Sequence, residues 1–285
     1  MERFILNEYR NFQTVRVNEY TQLDIIPIES IDEIRFVKLA EPTEMLEHYY
    51  NRAEKKPNIM VNGGLFNMKS GHNVMSFVFM YEEQNYKNNF EGMGTVWNGA
   101  QTLIYGKDTS HEWRDFMTAY PMLVINGKAN KDYGNAKNLN YKTARTAVGV
   151  REDGSILILT VDAPGMTFEQ MTAIFLQYRA FYAMNLDGGG SVRKLHDGKV
   201  ANTPSENRKV DNAFCVYLKK DPLAMYEDKD SVDDWARDAV EIVTKYGIMQ
   251  GDNHGKFNPT KQVTRQELAV ALSNMISKIQ TSAFM

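Results

Sequence analysis

Three consecutive glycines constrain this chain more tightly than any other part of its sequence. They lie in the run Asn185-Leu186-Asp187-Gly188-Gly189-Gly190-Ser191, directly after the apolar-rich residues 181–184. Glycine loses more conformational entropy on folding than other residues, so such a run is expected where the backbone takes positive φ angles or approaches another group closely. Bare amides beside an acid and a hydroxyl can cradle a phosphate or a sugar, and a tight turn between strands accounts for the same residues. The run alone leaves both interpretations open.

Composition and charge exclude several kinds of protein. The chain has 285 residues, 43% of them hydrophobic, which suits one large globular domain or two unequal ones. A net charge of -3 provides no basic stripe, so we expect no nucleic-acid partner. Cys215 is the sole cysteine, which excludes an intrachain disulfide and a zinc site built on cysteines. No apolar run approaches the ~20 residues of a membrane-spanning helix, and charge enters the N-terminus too early for a secretory signal peptide.

Short β-prone segments separated by turn residues dominate the first 220 residues. Three dipeptides that favour two-residue hairpin turns lie between such segments: Asn126-Gly127, Asp153-Gly154 and Asp197-Gly198. Polar residues 85–89 are expected to form a loop. We therefore predict an α+β fold with a mixed sheet core and flanking helices.

Two helical patterns fall within this region. Residues 42–56 carry apolar side chains at helical spacing, and Thr43 could cap the helix. After an expected loop at residues 163–165, Thr167 and Gln170 match a capping box that precedes a second apolar stripe. These helices are expected to pack on the sheet core.

The character of the sequence changes near residue 220. We predict a large domain over residues 1–220, a polar linker over residues 221–230 and a helical module over residues 231–285. The second helix of this module opens with a capping box, Thr264 and Glu267. Two short helices bury little surface, so we expect the module to pack against the large domain or against copies of itself.

Four blocks of sequence follow one another in a recognisable order. They are Asn62-Gly63-Gly64-Leu65-Phe66, Arg145-Thr146-Ala147-Val148-Gly149-Val150, Val161-Asp162 with Gly165, and the glycine run. Together with Asn202-Thr203-Pro204 and Arg208, these blocks resemble the phosphodiester glycosidase family, which includes the lysosomal uncovering enzyme. The resemblance covers roughly residues 31–218 and implies a hydrolase that releases a sugar from a sugar-1-phosphodiester.

The C-terminal residues resemble a single S-layer homology repeat. Phe257-Asn258-Pro259 and Val263-Thr264-Arg265-Gln266-Glu267 match its signatures, within a resemblance over about residues 231–279. Such repeats bind cell-wall polysaccharide, typically as sets of three around a pseudo-threefold axis. One repeat is present here, so the resemblance implies that three chains together could supply the set, as a homotrimer at a cell envelope or on a virion.

The implied reaction breaks the bond between sugar C1 and a phosphate oxygen. A phosphate monoester is a far less basic leaving group than an alkoxide, so strong general-acid help matters less than in ordinary glycoside hydrolysis. The site then needs a cation for the phosphate and an anion for the oxocarbenium-like carbon. Arg145 is the candidate for the phosphate, and Asp187 is the candidate nucleophile, base or electrostatic stabiliser. The alternatives are an ion pair on a strand face for Arg145 and an Asx turn for Asp187.

Further residues in the matching blocks are candidates for the same site. Asp162 ends a strand, a position shared by catalytic acids and by capping residues. Side chains and bare amides that could bind sugar hydroxyls or phosphate, or simply form turns, belong to Asn62, Gly63, Gly64, Thr146, Asn185, Gly188, Gly189, Gly190 and Ser191. The five histidines show no metal-ligand spacing. No cofactor is certain, and a divalent cation at Asp187 and Asp162 stays open.

The sequence thus predicts a phosphodiester glycosidase that acts on a phosphorylated glycan of a cell wall or surface, in a bacterium or a phage. A non-catalytic module that binds a glycan or a nucleotide sugar fits the same residues. A structural component of a virion or envelope fits them too. Turnover distinguishes the enzyme from both alternatives, because a binding module would saturate without releasing reducing sugar.

Overall fold

The computed structural model describes residues 9, 12–40, 43–66, 78–80, 92–96, 103–106, 113–118 and 120–282. The predicted loop at residues 85–89 lies outside these ranges. The chain divides into two compact units. Of the described residues, those from 12 to 219 belong to the first unit, and Tyr9 and residues 220–282 belong to the second. Of the helices described, none is both long and apolar enough to cross a membrane.

The first unit contains a seven-stranded sheet that positions the glycine run. With strands numbered in chain order, its members in spatial order are β1 (Gln13–Asn18), β2 (Thr21–Ile26), β12 (Ile156–Met166), β11 (Thr143–Val150), β13 (Tyr182–Asn185), β9 (Met122–Ile125) and β10 (Lys128–Ala129). Strand β13 lies near the middle of the sheet and ends at Asn185, so the glycine run leaves directly from a buried strand.

Two further sheets complete the first unit. The five-stranded sheet consists of β15 (Lys199–Val200), β14 (Lys194–His196), β4 (Ile59–Asn62), β16 (Asn212–Leu218) and β3 (Ile31–Lys38). The four-stranded sheet consists of β5 (Val78–Met80), β8 (Trp113–Thr118), β6 (Gly92–Val96) and β7 (Leu103–Gly106). The predicted α+β class is confirmed. Every strand pair among the described residues is antiparallel, rather than of mixed direction as expected.

Four α-helices are described: α1 (Leu46–Arg52), α2 (Phe168–Gln177), α3 (Asp234–Lys245) and α4 (Arg265–Ser282). The capping box of α2 is confirmed, since Thr167 and Gln170 each bond the other's backbone amide. The predicted cap at Thr43 is wrong. Glu44 bridges to Val210 in extended conformation, so α1 begins only after Met45, without a side-chain cap.

Two of the three expected hairpin turns have the predicted two-residue form. The connection at Asp153-Gly154 is longer, from Arg151 to Ser155, and within it only Gly154 has a positive φ angle, of 84°. Asn126 and Gly127 take φ angles of 52° and 69°, and Asp197 and Gly198 take 46° and 77°, as a turn with two left-handed residues requires. The loop expected at residues 163–165 is instead a continuation of β12 as far as Met166. There Thr143 of β11 pairs with Met166, after a register shift that accommodates the extra residues.

Apolar packing holds the first unit together. Helix α2 places Phe168, Met171 and Phe175 against buried residues of the seven-stranded sheet. A second cluster joins α1 to the five-stranded sheet through Leu46, Met60 and their neighbours. Both helices therefore bury the apolar face that their spacing defines.

A buried ion pair links the seven-stranded and five-stranded sheets. The Lys194 ammonium of β14 lies 3.1 Å from the Asp24 carboxylate of β2, and both side chains are fully buried. Burial alone would raise the pKa of Asp24, but Lys194 and a hydrogen bond from His196 hold it well below its usual value. Thr14 also donates to Asp24 and Gln22 accepts from Lys194, which offsets much of the desolvation cost of the pair.

The second unit contains α3 and α4 and a small core of its own. Leu223, Tyr226, Val232 and Val240 form this core. Residues 221–230, expected to be a linker, contribute to it and therefore pack within the second unit. The Thr264 and Glu267 capping box of α4 is confirmed by bonds in both directions.

Candidate functional site

Segments that are far apart in the sequence meet at the glycine run. Asn62, at the end of β4, donates from Nδ2 to the main-chain carbonyl of Asp187 at 2.8 Å. The Thr146 hydroxyl of β11 donates to Asn62 Oδ1 at 2.7 Å. The Asp187 amide in turn donates to the Gly63 carbonyl at 2.9 Å. Three of the four predicted blocks thus converge on the backbone of a single aspartate.

The three glycines differ in what a side chain would meet at their positions. A Cβ atom on Gly188 would lie 2.7 Å from the Ala144 carbonyl oxygen, a backbone atom that cannot easily move. Gly189 takes a φ angle of 60°, in the left-handed region. A Cβ atom on Gly190 would lie 2.3 to 2.5 Å from all three carboxylate atoms of Glu206. The run is therefore a loop that is crowded on both sides, as well as a turn.

The Asp187 carboxylate is the central acid of this loop. It keeps partial solvent exposure, yet it is set among protein atoms whose low polarity raises its pKa. Hydrogen bonds from the Ser191 hydroxyl and the Gly188 amide oppose this rise, as do the charges of Arg208 and Arg145. An acid that is desolvated and still reachable is well suited to exchange a proton with a bound molecule.

The Arg145 guanidinium lies beside this loop but is occupied by the protein. The residue is only 5% exposed. It donates to the carbonyl oxygens of Leu139, Tyr141 and Met166, and its guanidinium carbon lies 4.5 Å from the centre of the Phe168 ring. Burial lowers its pKa, and the charge of Asp187 partly opposes that change. Arg145 is therefore a fixed positive charge held by main-chain oxygens.

A second guanidinium, that of Arg208, completes the charge distribution. Its Nη1 atom lies 3.5 Å from the Ser191 hydroxyl oxygen, and its Nη2 atom lies 2.8 Å from the Glu206 carboxylate. The Arg208 side chain is 24% exposed, so unlike Arg145 it faces solvent. Arg208 belonged to the matching blocks but not to the predicted site, and Glu206 had no sequence signal at all. Their relevance depends on the contact with Gly190, which only the fold reveals.

The remaining predicted residues have supporting contacts. Both Asp162 oxygens are engaged, by Asn202 Nδ2 at 2.8 Å and by the Thr203 amide at 2.9 Å. Asp162 thus anchors the beginning of the segment that leads to Glu206 and Arg208. Its role as a catalytic acid stays a prediction.

The amides of two further predicted glycines are used within the protein. Gly63 donates to the Asn212 carbonyl at 2.9 Å, and Gly64 donates to Asn212 Oδ1 at 2.6 Å. Asn185 donates to the carbonyls of Tyr120 and Leu186. These residues therefore make hydrogen bonds within the protein, and their contact with a ligand stays a prediction.

Within the part of the chain that the structure describes, no group of three or more His, Cys, Asp or Glu side chains is arranged to hold a metal ion. His196 contacts Asp24 and packs edge-on against Phe12, in keeping with a packing role.

The fold and the site together define an α+β domain in which a glycine loop carries one acid, and the charges of two guanidinium groups act on that acid. The chain belongs to the phosphodiester glycosidase family, whose sequence profile matches residues 55–217. The profile of the S-layer homology domain matches residues 226–269, which indicates association with a cell surface or envelope.

Three curated proteins illustrate the similarity. The N-acetylglucosamine-1-phosphodiester alpha-N-acetylglucosaminidase of Bos taurus is 26% identical over 189 residues, which cover 55% of this chain and 36% of that protein. The Homo sapiens enzyme of the same name is also 26% identical over 189 residues, which cover 55% of this chain and 37% of that protein. An uncharacterized protein derived from the SPbeta prophage of Bacillus subtilis is 39% identical over 74 residues, 24% of this chain and 12% of that protein. The chain thus spans little more than a third of the two mammalian enzymes and less of the prophage protein.

Two solved structures share the fold. The catalytic domain of the zebrafish N-acetylglucosamine-1-phosphodiester alpha-N-acetylglucosaminidase, auto-inhibited by its pro-peptide, superimposes with a TM-score of 0.57 at 19% identity, over 72% of this chain and 81% of that one. A hypothetical protein from Synechocystis has a TM-score of 0.51 at 14% identity, over 73% of this chain and 61% of that one. At these identities the likeness shows the fold alone.

Proposed function

We propose that the protein is a phosphodiester glycosidase that hydrolyses the bond between sugar C1 and phosphate in a sugar-1-phosphodiester. The observation that carries this proposal is the setting of Asp187, a desolvated and reachable acid with a raised pKa beside two guanidinium groups. Family membership supports the reaction class. The names of the mammalian relatives point to an N-acetylglucosamine-1-phosphodiester as the first substrate to try.

Asp187 is the general base and electrostatic stabiliser of this reaction. In hydrolysis, water adds to C1, the bond from C1 to the phosphate oxygen breaks, and a phosphate monoester leaves. The Asp187 carboxylate accepts the proton of the attacking water, and its charge stabilises the positive character that develops at C1. A raised pKa strengthens it as a base near neutral pH, because proton transfer is most effective when the base pKa approaches the working pH.

The two arginines have different roles in this reaction. Arg145 donates its hydrogen bonds to main-chain carbonyls, so its part is to hold the loop and to keep Asp187 largely ionised. Arg208 is exposed and lies beside the Ser191 hydroxyl, so it is the guanidinium that a phosphate can reach. This division moves the phosphate-binding role, predicted from sequence for Arg145, to Arg208.

The C-terminal module directs this activity to a surface glycan of a cell wall, with cell-wall polysaccharide as its partner. Helices α3 and α4 expose large apolar side chains, among them Trp235 at 86%, Val270 at 60% and Ile279 at 59%. Large apolar side chains exposed in such number are typical of a protein that uses this surface for an interaction. This apolar surface contacts a second and a third copy of the chain, and the three copies together supply the three repeats that wall binding requires.

Turnover tests the proposal directly. Purified protein is incubated with a panel of sugar-1-phosphodiesters, with and without a chelator, and free reducing sugar is measured. Release from at least one member supports the enzyme, and the chelator arm tells whether a divalent cation takes part. Saturable binding of the panel without any release would instead support the binding module.

A further inference from the structure

The Glu206 carboxylate fills a space that exists because residue 190 has no side chain. A Cβ atom on Gly190 would lie 2.3 Å from the Glu206 carboxyl carbon and 2.4 and 2.5 Å from its two oxygens. The carboxylate therefore lies face-on against the Gly190 backbone. The φ angle of Gly190 lies outside the left-handed region, so the contact with Glu206 is the one feature in which a side chain at this position would alter its surroundings.

The same space is lined by donors suited to an anion. Glu206 Oε2 accepts from Arg208 Nη2 at 2.8 Å and from Arg208 Nε at 3.2 Å. Arg208 Nη1 extends to the Ser191 hydroxyl at 3.5 Å, and Ser191 bonds Asp187. A guanidinium whose two edges face an anion and a hydroxyl offers the planar fork that binds carboxylate and phosphate alike.

The Glu206 carboxylate is held only weakly in this place. Its side chain is 53% exposed, and ion pairs at such exposure contribute little stability. Its carboxylate is the far end of a flexible side chain, so it can leave without moving backbone. A phosphodiester presents two non-bridging oxygens with one negative charge, as a carboxylate does, so it can replace Glu206 on the Arg208 guanidinium at small cost.

We propose that this space, bounded by Gly190, Ser191 and Arg208, is the seat, that is, the binding site, of the substrate's phosphate. The Glu206 carboxylate occupies this seat when no substrate is bound, and the phosphate displaces it. The inference rests on the proposed function for the identity of the substrate, and it deepens that function by locating the phosphate beside Arg208 and Ser191 rather than beside Arg145. Glu206 then determines selectivity, because only an anion that outcompetes a carboxylate for Arg208 can enter.

Two variants affect the seat in opposite directions. Glu206→Ala empties it and removes a negative charge, so inorganic phosphate should bind about twofold to fivefold more tightly, the equivalent of losing one exposed ion pair. Gly190→Ala fills it with a methyl group, so phosphate binding should fall at least about tenfold, since an occupied seat excludes the anion. Glu152→Ala removes an exposed glutamate from the turn between β11 and β12 and controls for net charge.

The experiment is calorimetric titration of the full-length chain and its three variants with inorganic phosphate, repeated with dimethyl phosphate as a diester. Thermal melting of each variant confirms folding. Tighter binding by Glu206→Ala, weaker binding by Gly190→Ala and no change for Glu152→Ala support the seat. Weaker binding by Glu206→Ala would show that Glu206 merely positions Arg208, and undiminished binding by Gly190→Ala would place the phosphate elsewhere; either result overturns the proposal. Because phosphate binding needs no turnover, these results stand apart from the failure or success of the proposed hydrolysis.

Discussion

Asn62 Nδ2 donates a hydrogen bond to the Asp187 carbonyl at 2.8 Å, across 125 positions of sequence. Asn62 Oδ1 simultaneously accepts from the Thr146 hydroxyl at 2.7 Å and from the Arg193 amide at 3.3 Å. One fully buried amide side chain therefore ties the glycine loop to β11 and to the beginning of β14. The backbone of Asp187 is thus held by Asn62, while its carboxylate accepts from the Gly188 amide and the Ser191 hydroxyl.

Replacing Asn62 by Ala should destabilise the first unit by about 2 to 4 kcal/mol. The substitution leaves two buried donors, the Thr146 hydroxyl and the Arg193 amide, and one acceptor, the Asp187 carbonyl, without this partner. Each unsatisfied group costs on the order of 1 kcal/mol or more. The free energy of unfolding from urea titration measures the effect. Asn51→Ala, at an exposed position of α1, is the matched control and should change stability by less than about 0.5 kcal/mol. Equal effects of the two substitutions would contradict the bridging role of Asn62.

The raised pKa of Asp187 predicts a specific dependence of stability on pH. A carboxyl whose pKa is higher in the folded state than its ordinary value of 3.8 favours folding most when it is protonated, and this contribution is lost as the pH rises through the folded-state pKa. Asp187→Asn cannot lose a proton. Its melting temperature relative to the unmodified protein should therefore increase from acidic pH toward neutral pH.

Thermal melts of both proteins across that range measure this difference. Asp238→Asn, at an exposed position of α3, provides the comparison for a surface aspartate. A difference that shrinks toward neutral pH would mean that the carboxylate is stabilised by its surroundings, contrary to the pKa shift.

Arg145 should be important for stability as well as for activity. Replacement by Ala leaves the carbonyls of Tyr141 and Met166 without their donor and removes the cation from the Phe168 ring. The loss should be about 2 to 4 kcal/mol, as expected for a buried network that loses one partner. Arg145→Lys keeps the positive charge but not the planar guanidinium with its several donors. It should therefore recover only part of the unfolding free energy that Arg145→Ala loses. Full recovery by Lys would show that charge alone matters at this position.

The apolar surface of α3 and α4 predicts self-association. Sedimentation velocity should detect a species larger than the monomer, with a trimer as the expected state. Exchanging Ile276 and Ile279 for Lys places charge on this exposed face and should return the protein to a monomer without unfolding the first unit, because contacts of apolar side chains tolerate no buried charge. If sedimentation velocity shows only a monomer of the unmodified protein at working concentration, the predicted trimer is contradicted.

Short-range signals predicted much of the local structure. The turn at Asp197-Gly198 and the capping box of Thr167 with Gln170 depend on residues adjacent in sequence, and both formed as expected. The failure at Thr43 has a long-range cause, since pairing of Glu44 with Val210 keeps the chain extended there. Local propensity is overridden where a distant segment offers better hydrogen bonds.

The chemistry of the site depended on information that no local pattern carries. The partners of Arg145 are main-chain oxygens, which have no residue identity to recognise in a sequence. The contact between Glu206 and Gly190 depends on a missing side chain and on a fold that brings the two together. A resemblance of ordered blocks could therefore name candidate residues, but not the difference in surroundings between the buried Arg145 and the partly exposed Arg208.

The measurement that tests the central claim most directly is the rate of sugar release from the methyl diester of N-acetylglucosamine-1-phosphate by the full-length chain and by Asp187→Asn. Loss of a positioned general base should lower the rate by about a thousandfold, while calorimetric binding of inorganic phosphate is retained. A rate in Asp187→Asn equal to that of the unmodified protein would contradict the account, because the acid on the glycine loop would then have no part in the reaction.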